Sequence, residues 1–488
     1  MDAIVRLFTN WRMLAILCMG FASGLPLALT ASGGTIQAWM TRSGLDLATI
    51  GRFALVGLPY ILKFLWAPFL DSYAPPFLGR RRGWALVTQA ALICSLVLVA
   101  FSDPVGNFWL FTLLAVLVAI CSASQDIVLD AFRTELLKPE EMGFGASVYV
   151  AGYRLGMIVS GAFALSMAKH TSYNTAYLAM AVCALVGPLT VLLTPEPKVE
   201  IRFKAIASIK ERVLLPFAEF FKRQGAMEII LFVMLYKLPT MMATALTTSF
   251  LIKMNFDEDQ IASASKLFGV AATIVGALTG GVLMTKLGTK RSLWIFGLLQ
   301  AVGGLAFIIV TILKPETDVV LRLAVMTMVV VVENFMIGLG VAAISGFMMS
   351  VCSKQFTGTQ FALLSSLAAV ARVILVSPAG KVADAIGWPL FYVFSVSLAV
   401  PGLFLLTRYD SWEKNASAVA STREISRTDF SIMGLFMAAL IVITTEGLWK
   451  KIGLPDVGGW VGSALLVASL SLWFFKGRHL GKVVPRGA

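Results

Sequence analysis

Charge is the scarcest commodity in this chain. Asp, Glu, Lys and Arg make up 14% of 488 residues while 58% are hydrophobic, and mean hydropathy is +0.84. Soluble domains carry about a quarter charged residues, so a water-soluble fold is excluded. Histidine occurs only twice, as His170 and His479, each near a predicted loop or tail, which argues against a zinc site. The five cysteines (Cys18, Cys94, Cys121, Cys183 and Cys352) fall in apolar stretches and show neither paired nor metal-like spacing, so no disulfide framework is expected. A His-Glu-x-x-His pattern, a glycine-rich phosphate loop and a histidine inside a span are all missing, which speaks against an intramembrane enzyme. No cofactor is expected. The first apolar run follows Arg6 and Arg12 as in a signal peptide, but no small-x-small cleavage site leads into a soluble domain, so it reads as a retained first helix.

What is present is apolar sequence in helix-length runs. About 20 apolar residues span roughly 30 Å of hydrocarbon as a helix, whereas barrel strands would show ~10-residue alternation. Spans are predicted at 13–31, 48–70, 84–101, 108–132, 144–168, 173–194, 226–251, 260–285, 292–313, 321–350, 359–383, 388–407, 430–447 and 457–475. The chain is therefore an all-α polytopic membrane protein. Lys and Arg concentrate on alternate loops, which places both termini on the cytoplasmic side. The same spread explains the net charge of +13 without nucleic-acid binding, because no basic domain gathers it.

Two hydrophilic segments divide the chain. Residues 196–225 carry Lys198, Arg202, Lys204, Lys210, Arg212, Lys222 and Arg223 among apolar residues, and read as a basic cytoplasmic linker with an amphipathic helix at the lipid headgroups or as a plain connector. They separate a six-helix bundle at 1–195 from another at 226–407. A second linker, 408–428, sets off two further helices and a tail at 429–488. Short basic turns recur after the second span (Asp71-Ser-Tyr-Ala-Pro-Pro-Phe-Leu-Gly-Arg-Arg-Arg) and the eighth (Lys286-Leu-Gly-Thr-Lys-Arg), and Arg154 in the fifth span is echoed by Arg372 in the eleventh. Six plus six helices with such echoes resemble the major facilitator fold, in which substrate sits between the halves.

Carboxylates at membrane depth are costly, and their first reading is functional. Asp126 and Asp130 share a helix face one turn apart, with Gln125 beside them and Arg133 continuing the stripe. Counting outward from the turn near residue 140 puts Asp126 and Arg154 at similar depth, so an ion pair between them is expected. Asp126 then reads as the proton carrier, the alternative being a structural pair locking the fourth and fifth spans. Asp130 reads as a charge near the cytoplasmic end, paired with Arg133 in water, with proton coupling the alternative. Glu333 in the tenth span is the further candidate for proton coupling, and Glu228 is a second acid in that half.

Cations outnumber anions inside the spans: Lys63, Lys237, Lys266, Arg154 and Arg372 suggest a ligand bearing carboxylates or phosphates, although Lys63 and Lys266 can also snorkel to an interface. Tyr60, Tyr149, Tyr153 and Trp39 offer flat faces for sugar rings or serve as packing. Breaks at Gly24-Leu-Pro26, Ser32-Gly-Gly-Thr35, Pro59, Pro68 and Ser377-Pro-Ala-Gly380 suit a rocking transporter. Gly276, Gly280, Gly338 and Gly340 read as close-contact sites between helices.

Four strings match a known family: Leu58-Pro-Tyr-Ile-Leu-Lys-Phe-Leu-Trp-Ala-Pro68, Ser124-Gln-Asp-Ile-Val-Leu-Asp-Ala-Phe-Arg-Thr-Glu135, Tyr149-Val-Ala-Gly-Tyr-Arg154 and Phe356-Thr-Gly-Thr-Gln-Phe-Ala-Leu-Leu-Ser-Ser366. From about residue 10 to 475 the chain resembles the AmpG family of muropeptide permeases. The resemblance implies a monomeric inner-membrane symporter that imports anhydro-muropeptides with protons, for peptidoglycan recycling and β-lactamase induction. The charge and ring readings give Tyr60, Lys63, Gln125, Tyr149, Tyr153, Arg154, Lys266 and Arg372 as candidate substrate contacts and Asp126, Asp130 and Glu333 as candidates for proton coupling, with Gln125, Asp126 and Arg154 leading because they lie in the matched strings, and no cofactor is expected beyond the proton gradient and surrounding lipid. A facilitator for another organic anion, such as an acyl-CoA or a small peptide, and a lipid flippase remain the alternatives.

Overall fold

The computed structural model describes residues 10–30, 35–45, 49–50, 53–197, 209–223, 225–257, 260–261, 263–313, 318–376 and 378–412. The predicted spans 430–447 and 457–475 lie outside the described residues, as does residue 224 in the linker. Among the described residues the regular elements are all helical, and ten helices are long and apolar enough to cross a membrane.

The first half comprises α1 (Trp11–Gly24), the short α2 (Leu58–Leu62) and α3 (Ala67–Ser72), then α4 (Arg80–Ala100), α5 (Phe108–Leu136), α6 (Met142–Ile158) and α7 (Tyr173–Ala184). The linker carries α8 (Ile209–Lys222), and the second half comprises α9 (Ala226–Tyr236), α10 (Val270–Leu287), α11 (Thr289–Gly303), α12 (Val319–Val351), α13 (Thr357–Leu375) and α14 (Trp388–Ser397), with shorter pieces continuing several of them. The two longest helices start at side-chain caps: Asn107 accepts from the Leu110 amide and Asp318 from the Leu321 amide, both at 3.1 Å. Each cap satisfies an amide that would otherwise face the interface unpaired.

Prolines act where the sequence placed them. Pro59 and Pro68 stand in the first turns of α2 and α3, and the second span is broken between them into short 3-10 and α segments. The first span extends further than expected. It resumes past Gly24-Leu-Pro26 as Leu27–Thr30 and again as Thr35–Arg42, so Trp39 lies on a helix, packed among Phe111, Tyr173 and Tyr177. Trp39 is thus packing and not an open sugar platform.

Glycine seams hold each half together. A Cβ on Gly20 or Gly24 of α1 would strike the carbonyl oxygens of Tyr149 or Tyr153 on α6, so the two backbones touch. In the second half Gly276 on α10 meets the carbonyl of Phe335, and Gly338 on α12 meets that of Thr273. Without a hydrophobic drive between helices in lipid, such close backbone packing supplies the association.

The core divides into three. One cluster draws on both halves, joining Phe64, Ile127 and Tyr149 to Phe232, Phe347, Phe361 and Leu364. A second belongs to the first half alone (Leu25, Trp39, Phe111, Tyr177), and a third to the second half alone (Phe250, Phe307, Tyr392). The halves therefore meet at one end, here the closed end, where the loops at 73–79, 137–141 and 352–356 gather, and each packs its own core at the other. At the closed end α6 packs on α10, and α13 packs on α2, α3 and α5.

Candidate functional site

Charge is collected at two levels of this interface. At the closed end Asp71, fully buried at the end of α3, accepts hydrogen bonds from the Thr359 amide (2.6 Å) and hydroxyl (2.7 Å) in the first turn of α13, across the halves. Its other oxygen meets Arg81 at 2.8 Å. Arg81 also holds Glu135 at the end of α5, and Arg80 bridges Glu135 (3.2 Å), the Asp71 carbonyl (3.0 Å) and the Gln355 carbonyl of the second half (3.3 Å). Two arginines and two carboxylates buried together balance in charge, which is the condition for burying any of them. The basic turn after the second span signalled this region, but Thr359 and Gln355 as its partners required the fold.

Deeper, α5 presents Asp126 and Asp130 to the break in the second span. Asp130 takes Arg133 at 2.8 Å and Lys63 at 3.9 Å. The expected Asp130–Arg133 pair is formed, but not in water: the residues are only 7% and 3% exposed. The guanidinium of Arg133 lies over the Tyr149 ring at 3.9 Å and over that of Phe361 of the second half at 5.1 Å. Lys63 does not snorkel; it is buried beneath Asp130. Asp126, 9% exposed, has Ser23 within hydrogen-bonding reach, and Tyr149 donates to Ser23 at 2.7 Å. Asp126 Oδ1 has no hydrogen-bond partner among the described residues.

The expected Asp126–Arg154 ion pair is not formed. Equal depth did not mean equal azimuth. Arg154 follows Ser147 by seven residues and shares its face, which looks toward Gly281 of α10, whereas Tyr149 and Tyr153 occupy the face turned to α1 and Asp126. Arg154 stands half-buried with no ion pair among the described residues.

The remaining candidates scatter. Tyr60 shares a hydrogen bond with Thr30 at 3.2 Å on the same side as Asp126. Gln125 donates to the Ala22 carbonyl at 2.8 Å, which makes it a brace between α5 and α1. Tyr149 and Tyr153 join the carboxylate cluster. Glu333 sits apart on α12, 2% exposed, its Oε1 unpartnered, with Tyr392 in its field. Glu228 is not deep: it lies in the first turn of α9, held by Trp412 at 2.8 Å and Arg408 at 3.5 Å. The side chains of Lys266 and Arg372 lie outside the described residues. Among the described residues no group of three His, Cys, Asp or Glu is placed to hold a metal.

A paired-charge interface between two glycine-seamed bundles, closed at one end, is the architecture of a membrane carrier. The family model described as Major Facilitator Superfamily matches residues 13–376. The chain belongs to this superfamily. It is a transporter, and its relatives are permeases rather than enzymes. It is 46% identical over 404 residues to the anhydromuropeptide permease of Escherichia coli, covering 82% of this chain and 80% of that one. It is 32% identical over 411 residues to the putative transporter AmpG 4 of Rickettsia conorii, covering 83% and 97%. Solved structures agree on the fold at low identity: a double-tryptophan variant of XylE (TM-score 0.61, 14% identity, 83% of this chain and 97% of that one) and the human organic anion transporter TETRAN (0.60, 18%, 81% and 97%).

Proposed function

We propose that this facilitator imports anhydro-muropeptides from the periplasm to the cytoplasm by proton symport, as a monomer in the bacterial inner membrane. The observation that carries the substrate is the 46% identity to an anhydromuropeptide permease over 82% of the chain. The charge arrangement supports it. Stem peptides bear carboxylates, and Arg154 is a half-buried cation without an ion pair among the described residues, beside Tyr153, which with Tyr60 offers aromatic rings near Asp126. Lys266 and Arg372 remain candidate anion contacts from the second half.

Proton coupling is assigned to Asp126 first. It is the most exposed acid of its cluster and has an oxygen free to carry a proton, while the Ser23 and Tyr149 hydroxyls offer a short relay. Asp130 and Glu333 are assigned subordinate roles in proton coupling. The closed end, rich in Arg80, Arg81 and Arg82, is taken as cytoplasmic by the positive-inside rule, which leaves the open end to receive substrate from the periplasm. Rocking of one half against the other around the site, closing the open end as the closed end parts, then gives alternating access.

The test is uptake of labelled anhydro-muropeptide into proteoliposomes with and without an imposed proton gradient, competed by acyl-CoA or by a free peptide. Gradient-driven uptake that only muropeptide competes supports the reading. Preferential competition by another anion would reassign the substrate while leaving the carrier intact. In cells, loss of the chain is expected to abolish muropeptide-dependent induction of β-lactamase.

A further inference from the structure

Arg133 of the deep cluster touches both halves. Its Nη2 is held by Asp130 at 2.8 Å, and its guanidinium lies over the ring of Tyr149 of its own half at 3.9 Å and over that of Phe361 of α13 at 5.1 Å. Its Nε and Nη1 have no hydrogen-bond partner among the described residues, although the residue is almost fully buried. A guanidinium has five donors and a permanent charge, so this one depends on a single carboxylate for its stay between the halves.

We propose that Arg133 is a positioning residue that links proton loading of Asp130 to separation of the two halves at the closed end. The cluster facing Asp130 holds Asp126 and Arg133 on the same helix, Lys63 from the broken second span, and Tyr149 and Tyr153 from α6, with Phe361 the uncharged neighbour from the second half. With both acids ionised, two anions balance Lys63 and Arg133. A proton on Asp130 leaves a net positive charge in a buried site and removes the anion that Arg133 is paired with. A buried cation without its partner is strongly disfavoured, so the guanidinium moves toward water, and the Phe361 contact that it completes is lost. The proton stays on Asp130 until the charge pair reforms. Phe361 follows Thr359 by two residues, so release at Arg133 bears directly on the helix turn that Asp71 holds.

This inference rests on the proton-driven reading above. It is tested with Cys352, which lies in the loop between α12 and α13 beside Arg223 and within the field of both Asp130 and Asp71. In a chain whose other four cysteines are replaced, the rate at which a membrane-impermeant maleimide modifies Cys352 from the closed-end side reports opening. Asp130→Asn and Arg133→Met are expected to label about tenfold faster than wild type at neutral pH, and Arg133→Lys at near the wild-type rate. Uptake by Arg133→Met is expected to lose its dependence on pH, where a merely structural role would lower the rate at every pH alike. If Arg133→Met does not accumulate, Asp130→Asn and Arg133→Lys make the same comparison. Wild-type uptake indifferent to a proton gradient overturns the proton-driven reading, and this inference with it. Gradient-driven wild-type uptake with unchanged Cys352 labelling in the variants overturns this inference alone.

Discussion

The two halves of this transporter share a frame and differ in chemistry. Both rest on glycine-to-backbone seams, Gly20 and Gly24 against α6 in one and Gly276 and Gly338 between α10 and α12 in the other. Yet the first half buries Asp126, Asp130, Arg133 and Lys63 as one network, while Glu333 of the second half stands without an ion pair among the described residues, one charged group beside the aromatic cluster of Phe250, Phe307 and Tyr392. The difference teaches that similar glycine seams fix where helices approach in both halves, while buried charge is gathered as a network in one half and stands alone in the other.

The largest test of that asymmetry is Asp126→Asn. It is expected to lower gradient-driven uptake at least about a hundredfold while leaving exchange of muropeptide across the membrane, because the isosteric amide keeps packing and removes the carboxylate proposed to take up the proton first. Accumulation at the wild-type level would move coupling elsewhere. Next in size is Asp71→Ala, which deprives Arg81 of one carboxylate and the Thr359 amide of its acceptor; with Glu135 still present, a loss of about 2 kcal/mol of stability is expected by chemical denaturation in detergent. No change in the transition would mean that the closed end holds without this contact.

Smaller and equal effects should come from the shared frame. Gly20→Ala and Gly276→Ala each place a methyl against a carbonyl oxygen, and each is expected to lower the melting temperature as a loss of about 1–3 kcal/mol would. Unequal losses would show that the halves are not equivalent even as scaffolds. The smallest effect is expected for Glu333→Gln. With no cation to trade, its removal should slow uptake by only about threefold and weaken gradient dependence in part, as a subordinate role implies. A loss matching that of Asp126→Asn would erase the comparison.

Some of this site was legible in the chain itself. Asp126, Asp130 and Lys63 could be singled out because each is a charge within a long apolar run, and the link between Asp130 and Arg133 followed from helical spacing. Arg154 was misread as a partner of Asp126 because counting residues gives depth along a helix and not the direction in which a side chain leaves it. Trp39 illustrates the same limit: its exposure to ligand or to neighbours depends on a helix Thr35–Arg42 that the polar Ser32-Gly-Gly-Thr35 break had hidden. Arg133 was seen only as a local partner, since its contact with Phe361 joins residues more than two hundred positions apart.

Composition and spacing thus determined that the chain spans a membrane as helices, which few charges stand within those spans, and which strings tie it to the permeases. These follow from local energetics: an apolar run of helix length has one solvent it can enter, and a carboxylate there is costly wherever it points. The tertiary structure alone decided which charges meet. It set Asp71 against the first turn of α13, put Arg133 between two rings from opposite halves, and turned Arg154 away from Asp126, because pairing of buried charges depends on azimuth and on contacts between segments that the linear order keeps apart.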